Sequence, residues 1–237
     1  MSSLAGEDIL LCIDVNSEMG ELWGEGGSSS RLDTLKTSIS HFVRHKAAIN
    51  KAHRFGVCVL TDGVSLNLEP TGDIDLVLAI IDACREAPSE QSFELDKLVH
   101  GIDQWFGGRL RKPVLAHART IRCVVFYGRS YAMPTCTSGK PTALLDHPLF
   151  FLDILYVHKK LSKENPEKNI CQDAYDFFMD TFECDSDEKS EYIVEVSGSG
   201  STSRLHQHMA MLLAHPKTRD DQDAFLEKYQ NASSDAT

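Results

Sequence analysis

The chain has 237 residues, with 24 Lys and Arg against 35 Asp and Glu, giving a formal net charge of −11 with His neutral. At 42% hydrophobic and 25% charged it has a globular composition, which excludes wholesale disorder; a chain this long builds a core without disulfide or metal staples. The acidic balance argues against nucleic acid as a partner, because a phosphate backbone calls for a basic stripe.

Strand and helix patterns alternate along the chain. Ile9 to Asp14 is an apolar run closed by a carboxylate, as in a strand covered on both faces. A Gly/Ser loop, Gly24 to Ser30, leads to a helix with Ser30 as N-cap and Asp33 completing a capping box. Its apolar stripe is Leu32, Leu35, Ile39, Phe42 and Val43. Phe55 to Thr61 reads as a second strand and Val64 to Leu68 as a third. The Asp62-Gly63 pair between them predicts a two-residue hairpin with a primed turn at positive φ. Helices are predicted near Asp73–Glu86 and Ser92–Phe106, the second capped by Ser92. Ile121 to Tyr127 and Leu149 to Val157 are buried strands joined through a loop, Gly128 to Pro141. A helix near Ile170–Phe182, an edge strand Tyr192 to Val196 and a helix near Thr202–Ala214 follow. The chain is divided as a short lead, 1–7, one domain, 8–214, and a flexible polar tail, 215–237. Together these elements predict a doubly wound, mostly parallel α/β sheet with one antiparallel edge hairpin.

The seven Cys are dispersed with no Cys-x-x-Cys, and Cys12, Cys58 and Cys123 fall within apolar runs, where a thiol is an inert small hydrophobe. No signal-like start and no apolar run near 20 residues is visible, so a reduced, soluble, intracellular protein with no membrane partner is expected. The sequon Asn231-Ala232-Ser233 is then an accident of the tail.

Doubly wound sheets bind ligands beyond the carboxyl ends of their strands, which draws attention to Asp14-Val15-Asn16-Ser17-Glu18. Oxygen-bearing side chains at alternate positions can converge on Mg²⁺. The segment resembles the metal-ion-dependent adhesion site of von Willebrand A domains, and the fold expected is von Willebrand A-like, of Rossmann type. Ser92 could stand for that family's Thr ligand. However, Asn16 and Glu18 replace its two Ser, and Tyr127 stands before Gly128 where its Asp belongs. The expectation is a degenerate remnant at Asp14, Asn16, Glu18 and Ser92 with no metal or other cofactor, Asp14 instead capping backbone N–H groups. The alternative is a metal-dependent ligand-binding domain using the same four residues.

His206-Gln207-His208 begins like the zinc signature of JAMM metalloproteases, but two His at i and i+2 on a helix diverge, and Pro216 fills the slot that signature gives to Ser. Gly24-Glu25-Gly26-Gly27 lacks the Lys-Ser/Thr of a phosphate loop, and no nucleophile elbow is present, so no enzyme is expected. His215-Pro216-Lys217-Thr218-Arg219 ends the last helix, Pro216 forcing an exit and an exposed Arg219 offering a fork to a partner carboxylate.

The runs Ile9–Met19, His41–Leu60, Phe150–His158 and Met211–Pro216 resemble the von Willebrand A-like scaffold subunits of the BRISC deubiquitinase complex and its nuclear relative, the BRCA-one A complex. The resemblance implies a non-catalytic adaptor, cytoplasmic and nuclear. It would bind the BRE subunit directly, and Abraxas-type and JAMM metalloprotease subunits through an assembly that cleaves lysine-sixty-three-linked ubiquitin chains. The family's Pro-x-x-Arg motif contacts BRE; Pro216 and Arg219, with His215 beside them, match it.

Overall fold

A computed structural model describes residues 5–24, 27–88, 92–112, 114, 118–160, 170–182, 191–198 and 201–227. Six strands form one sheet in the order β3-β2-β1-β4-β5-β6: β1 (Glu7–Asp14), β2 (Arg54–Leu60), β3 (Val64–Thr71), β4 (Thr120–Tyr127), β5 (Phe150–His158) and β6 (Ile193–Ser197). Only β2–β3 is antiparallel. The four inner strands are apolar almost throughout because helices cover both faces.

Alternation along β1 divides the core. Ile9, Leu11 and Ile13 face α1 (Arg31–Ile49), α2 (Ile74–Ala83) and α6 (Ser203–Met211). Leu10 and Cys12 face α3 (Leu95–Leu110), α4 (Thr142–Leu145) and α5 (Cys171–Phe182). The stripe expected on α1 is buried in full, and Ser30 caps the helix by accepting from the Asp33 N–H. Cys12, Cys58 and Cys123 are fully buried; hydrogen bonds among these thiols, together with burial, push Cys12 and Cys58 upward, away from reactivity. Among the described residues no helix is long and apolar enough to cross a membrane.

Several expectations are corrected. Asp62-Gly63 makes no primed turn: Leu60 pairs with Val64 across three residues, Thr61 N–H donates to Gly63 C=O at 3.0 Å, and neither central residue has positive φ. A three-residue loop closes the hairpin without left-handed backbone. Ser92 is not a helix cap; α3 starts later, at Leu95, and the Ser92 hydroxyl donates to Met133 C=O at 2.8 Å. The lead is shorter than expected, since Glu7 already pairs with Thr120 in the sheet.

The flexible tail is corrected as well. Residues 215–227 lie packed along the sheet, with 222–227 helical and Phe225 and Leu226 against the core. Polar side chains tie them down: Tyr192 Oη donates to Asp220 C=O at 2.8 Å, and Gln222 accepts from Ile193 N–H at 2.7 Å. The tail beyond 227, the sequon and Glu25-Gly26 of the glycine-rich loop lie outside the described residues.

Candidate functional site

The sheet reverses its direction of winding between β1 and β4, so the crevice above their carboxyl ends is the topological switch point. Asp14 ends β1 and Tyr127 ends β4, which brings the two candidate loops together there.

Asp14 is fully buried. Its Oδ1 accepts from Asn16 N–H and its Oδ2 from Gly128 N–H, both at 3.1 Å. The guanidinium of Arg129, the second residue after β4 and itself fully buried, lies on the same carboxylate, with Nε–Oδ2 3.3 Å and Nη2–Oδ1 3.4 Å. Arg129 is held from three further sides. Its Nη2 donates to Thr61 C=O, its Nη1 to Ser92 C=O at 3.1 Å, and its guanidinium sits 4.9 Å from the Phe93 ring centre. Burial pushes Asp14 above its ordinary value, against the pull of Arg129 and the two backbone donors.

The neighbouring donors are also turned inward. Asn16 Oδ1 accepts from Glu18 N–H at 2.9 Å, capping the short 3₁₀ turn Ser17–Gly20. Glu18 Oε2 accepts from Ser130 N–H at 2.7 Å, and burial raises this carboxyl too. A second buried guanidinium, Arg31, donates to Gly128 C=O at 3.0 Å, Val157 C=O at 3.1 Å and Glu18 C=O at 2.5 Å. Tyr127, in the position of the expected Asp, turns into the opposite core against Phe178, ring centres 5.0 Å apart. The residues therefore do not fit a hexacoordinate divalent ion. The Asp14 carboxylate already carries a cation, and Asn16 Oδ1, Glu18 Oε2 and the Ser92 hydroxyl each bond backbone. The one buried oxygen of these four described residues without a hydrogen-bond partner, Glu18 Oε1, cannot make a ligand set alone. The sequence reading of Asp14 as a backbone cap agrees with this geometry but overlooked Arg129 and Arg31. An Arg following Gly at a strand end was the one available signal, and it is weak because Arg is rarely fully buried.

The two His of 206–208 part as their spacing requires: His206 is exposed, while His208 is buried and pushed down to about 4 by desolvation.

His215, Pro216 and Arg219 lie at the other end of the sheet. Pro216 is buried, and the Arg219 side chain is only 1% exposed, which corrects the expectation of a solvated Arg. Its fork closes on this chain's own Asp153, with Nη2–Oδ1 2.5 Å and Nη1–Oδ2 3.1 Å, over the Tyr192 ring at 3.9 Å. Arg122, fully buried on β4, donates from Nε to the same Asp153 at 2.7 Å and from Nη1 to Leu212 and Ala214 C=O. Lys46 of α1 pairs with buried Glu7 at 2.5 Å and donates to Leu213 C=O at 3.0 Å. Cations from two elements thus collect the carbonyls at the C-terminal end of α6, where the helix leaves them without partners. His215 Nδ1 accepts from Lys217 N–H, leaving Lys217 and Thr218 as the exposed residues of this turn.

No protein-family model matches the chain. It is 29% identical over 226 residues to the Homo sapiens protein named BRISC and BRCA1-A complex member 1, covering 90% of this chain and 65% of that protein. The Mus musculus protein of the same name is 30% identical over 226 residues, with 90% and 64% covered. The chain thus spans 64–65% of the length of these relatives. Among solved structures, the VWA domain of SpRpn10 superposes with a TM-score of 0.57 at 14% identity, covering 88% of this chain and 95% of that one. The PilB minor pilin from Streptococcus sanguinis gives 0.57 at 9%, covering 90% and 61%. Proximal thread matrix protein 1 from the mussel byssus, described with a zinc-occupied MIDAS motif, gives 0.52 at 14%, covering 89% and 45%. The chain has a von Willebrand A fold and is a homologue of the proteins named BRISC and BRCA1-A complex member 1.

Proposed function

We propose that this chain is a non-catalytic scaffold subunit of a BRISC-type assembly, binding a BRE-like subunit directly and Abraxas-type and JAMM metalloprotease subunits through it. The observation that carries this reading is the similarity, over 90% of the chain, to relatives named as members of those complexes. The Asp14–Arg129 pair supports it from the site: a guanidinium already lies on the carboxylate that a metal site would need, which disfavours ligand capture through a metal as the alternative. His215, Pro216 and Arg219 act in partner binding by shape. Pro216 and Arg219 hold the turn rigid, and its exposed Lys217 and Thr218 meet the BRE-like subunit.

The test is co-expression with a BRE-like subunit, followed by size-exclusion chromatography and a lysine-sixty-three-linked chain cleavage assay on the full assembly. Co-elution is expected, with cleavage only when the metalloprotease subunit is present. A chain that elutes alone and leaves the assembly's yield and activity unchanged overturns the reading.

A further inference from the structure

Helix α2, Ile74–Ala83, is apolar at eight of its ten positions, all but Asp75 and Asp82. A helix apolar on every side belongs inside a protein, yet only Val77 and Ile81 of α2 are buried. They turn inward toward α1 and the sheet. Ile74, Leu78 and Ile80 are half-buried and pack against the same core, while Leu76, Ala79 and Ala83, at i, i+3 and i+7, lie on the outer side with Ile80 at its edge. Leu76 is 43% exposed, Ala79 and Ala83 are exposed and Ile80 is half-buried. The helix thus keeps a narrow outer apolar strip, Leu76, Ala79 and Ala83 beside half-buried Ile80, that this chain leaves exposed.

The surroundings of the outer strip are predominantly acidic. Asp75 and Asp82, seven residues apart, form an exposed ridge along its flank. Asp73 at the N-cap, Glu86 beyond the C-terminal end and Glu69 on edge strand β3 add three more exposed acids, against exposed Arg85 and buried Lys36, whose Nζ donates to Cys84 C=O at 3.3 Å. A second copy of a chain with net charge −11, laid face to face here, would set acid against acid.

We propose that the outer face of α2 is a docking surface for an amphipathic helix of another protein, with an apolar stripe flanked by Lys and Arg. The apolar stripe covers Leu76, Ala79, Ile80 and Ala83, and the flanking cations meet Asp75 and Asp82. This is the helix-on-helix mode of recognition, with specificity set by charge.

The test uses the full chain and two designed 18-residue helical peptides sharing one Leu stripe, flanked by Lys in one and by Glu in the other. Fluorescence anisotropy reads affinity, and hydrogen exchange reads the footprint. The Lys peptide should bind about tenfold or more tighter than the Glu peptide, lose affinity with salt, and protect residues 73–86. Leu76→Gln should weaken it about fivefold, as should Asp75→Lys with Asp82→Lys, each with melting temperature unchanged. Equal affinity for both peptides, a footprint elsewhere, or full affinity in either variant would overturn the proposal. So would self-association of the wild-type chain that Leu76→Gln abolishes, because that assigns the face to a second copy.

Discussion

Arg219 and Asp153 lie 66 residues apart in sequence and meet as a buried fork, at 2.5 and 3.1 Å, beneath a turn that reads in sequence as solvent-exposed tail. Tyr192 N–H and Arg122 Nε also donate to the same carboxylate. The fork therefore fastens the C-terminal segment to β5 and the start of β6.

Arg219→Ala should destabilise the chain by about 2–4 kcal/mol in chemical denaturation, because it leaves part of a buried carboxylate without its counter-charge. Arg219→Lys should recover little of this, since an ammonium cannot reproduce the fork. Any loss of partner binding in these variants should come with faster hydrogen exchange across 212–222. Lys217→Ala should weaken binding with exchange unchanged.

Thermal melts of the wild-type chain in excess Mg²⁺ or Mn²⁺ and in chelator should agree within about 1 °C, because a ligand raises stability only by binding the native state. Arg129→Ala should melt lower by several degrees, since it strips the cation from fully buried Asp14. A metal-induced rise, if one is measured, should be confined to that variant. A rise in the wild type would refute the reading of Arg129 as the site's resident cation.

Gly128 lies between the Asp14 carboxylate and the buried Met19 side chain. A Cβ there would fall 2.0 Å from Met19 Sδ. Gly128→Ala should cost about 1–3 kcal/mol by overpacking, and Met19→Ala in the same chain should return part of that loss.

Acidification should unfold the chain in two stages. Burial pushes His53 and His208 from 6.5 down to about 4, so the folded state binds their protons less readily than the unfolded one. Their contribution is complete above pH 6.5 and is lost as pH falls through about 4. Burial would raise Asp153, but Arg122 and Arg219 outweigh it and hold the group at about 2, below its ordinary 3.8. That stability is present above 3.8 and is lost as pH falls through about 2. Asp14 and Glu18, raised by burial, act in the opposite sense and moderate the slope. The melting temperature should drop by about 5 °C or more between pH 7 and 4, and His208→Asn should flatten that first stage.

The strands and helices, their order and the von Willebrand A architecture were legible in the amino-acid sequence, because each element carries its own period: solid apolar runs for β1, β4 and β5, and the three-four stripe of α1. These are local consequences of which faces must leave water. The position of Asp14 at the end of β1 was legible for the same reason. What fills that crevice was decided only in three dimensions. Arg129 reaches Asp14 across 115 residues, and Arg219 reaches Asp153 across 66, so neither pair leaves a periodic trace. The same holds for residues 215–227, whose polar sequence looks like a tail until Asp153, Tyr192 and Ile193 supply partners. A buried charge is stable only beside its counter-charge, and which two charges meet is set by how the sheet brings distant strands together.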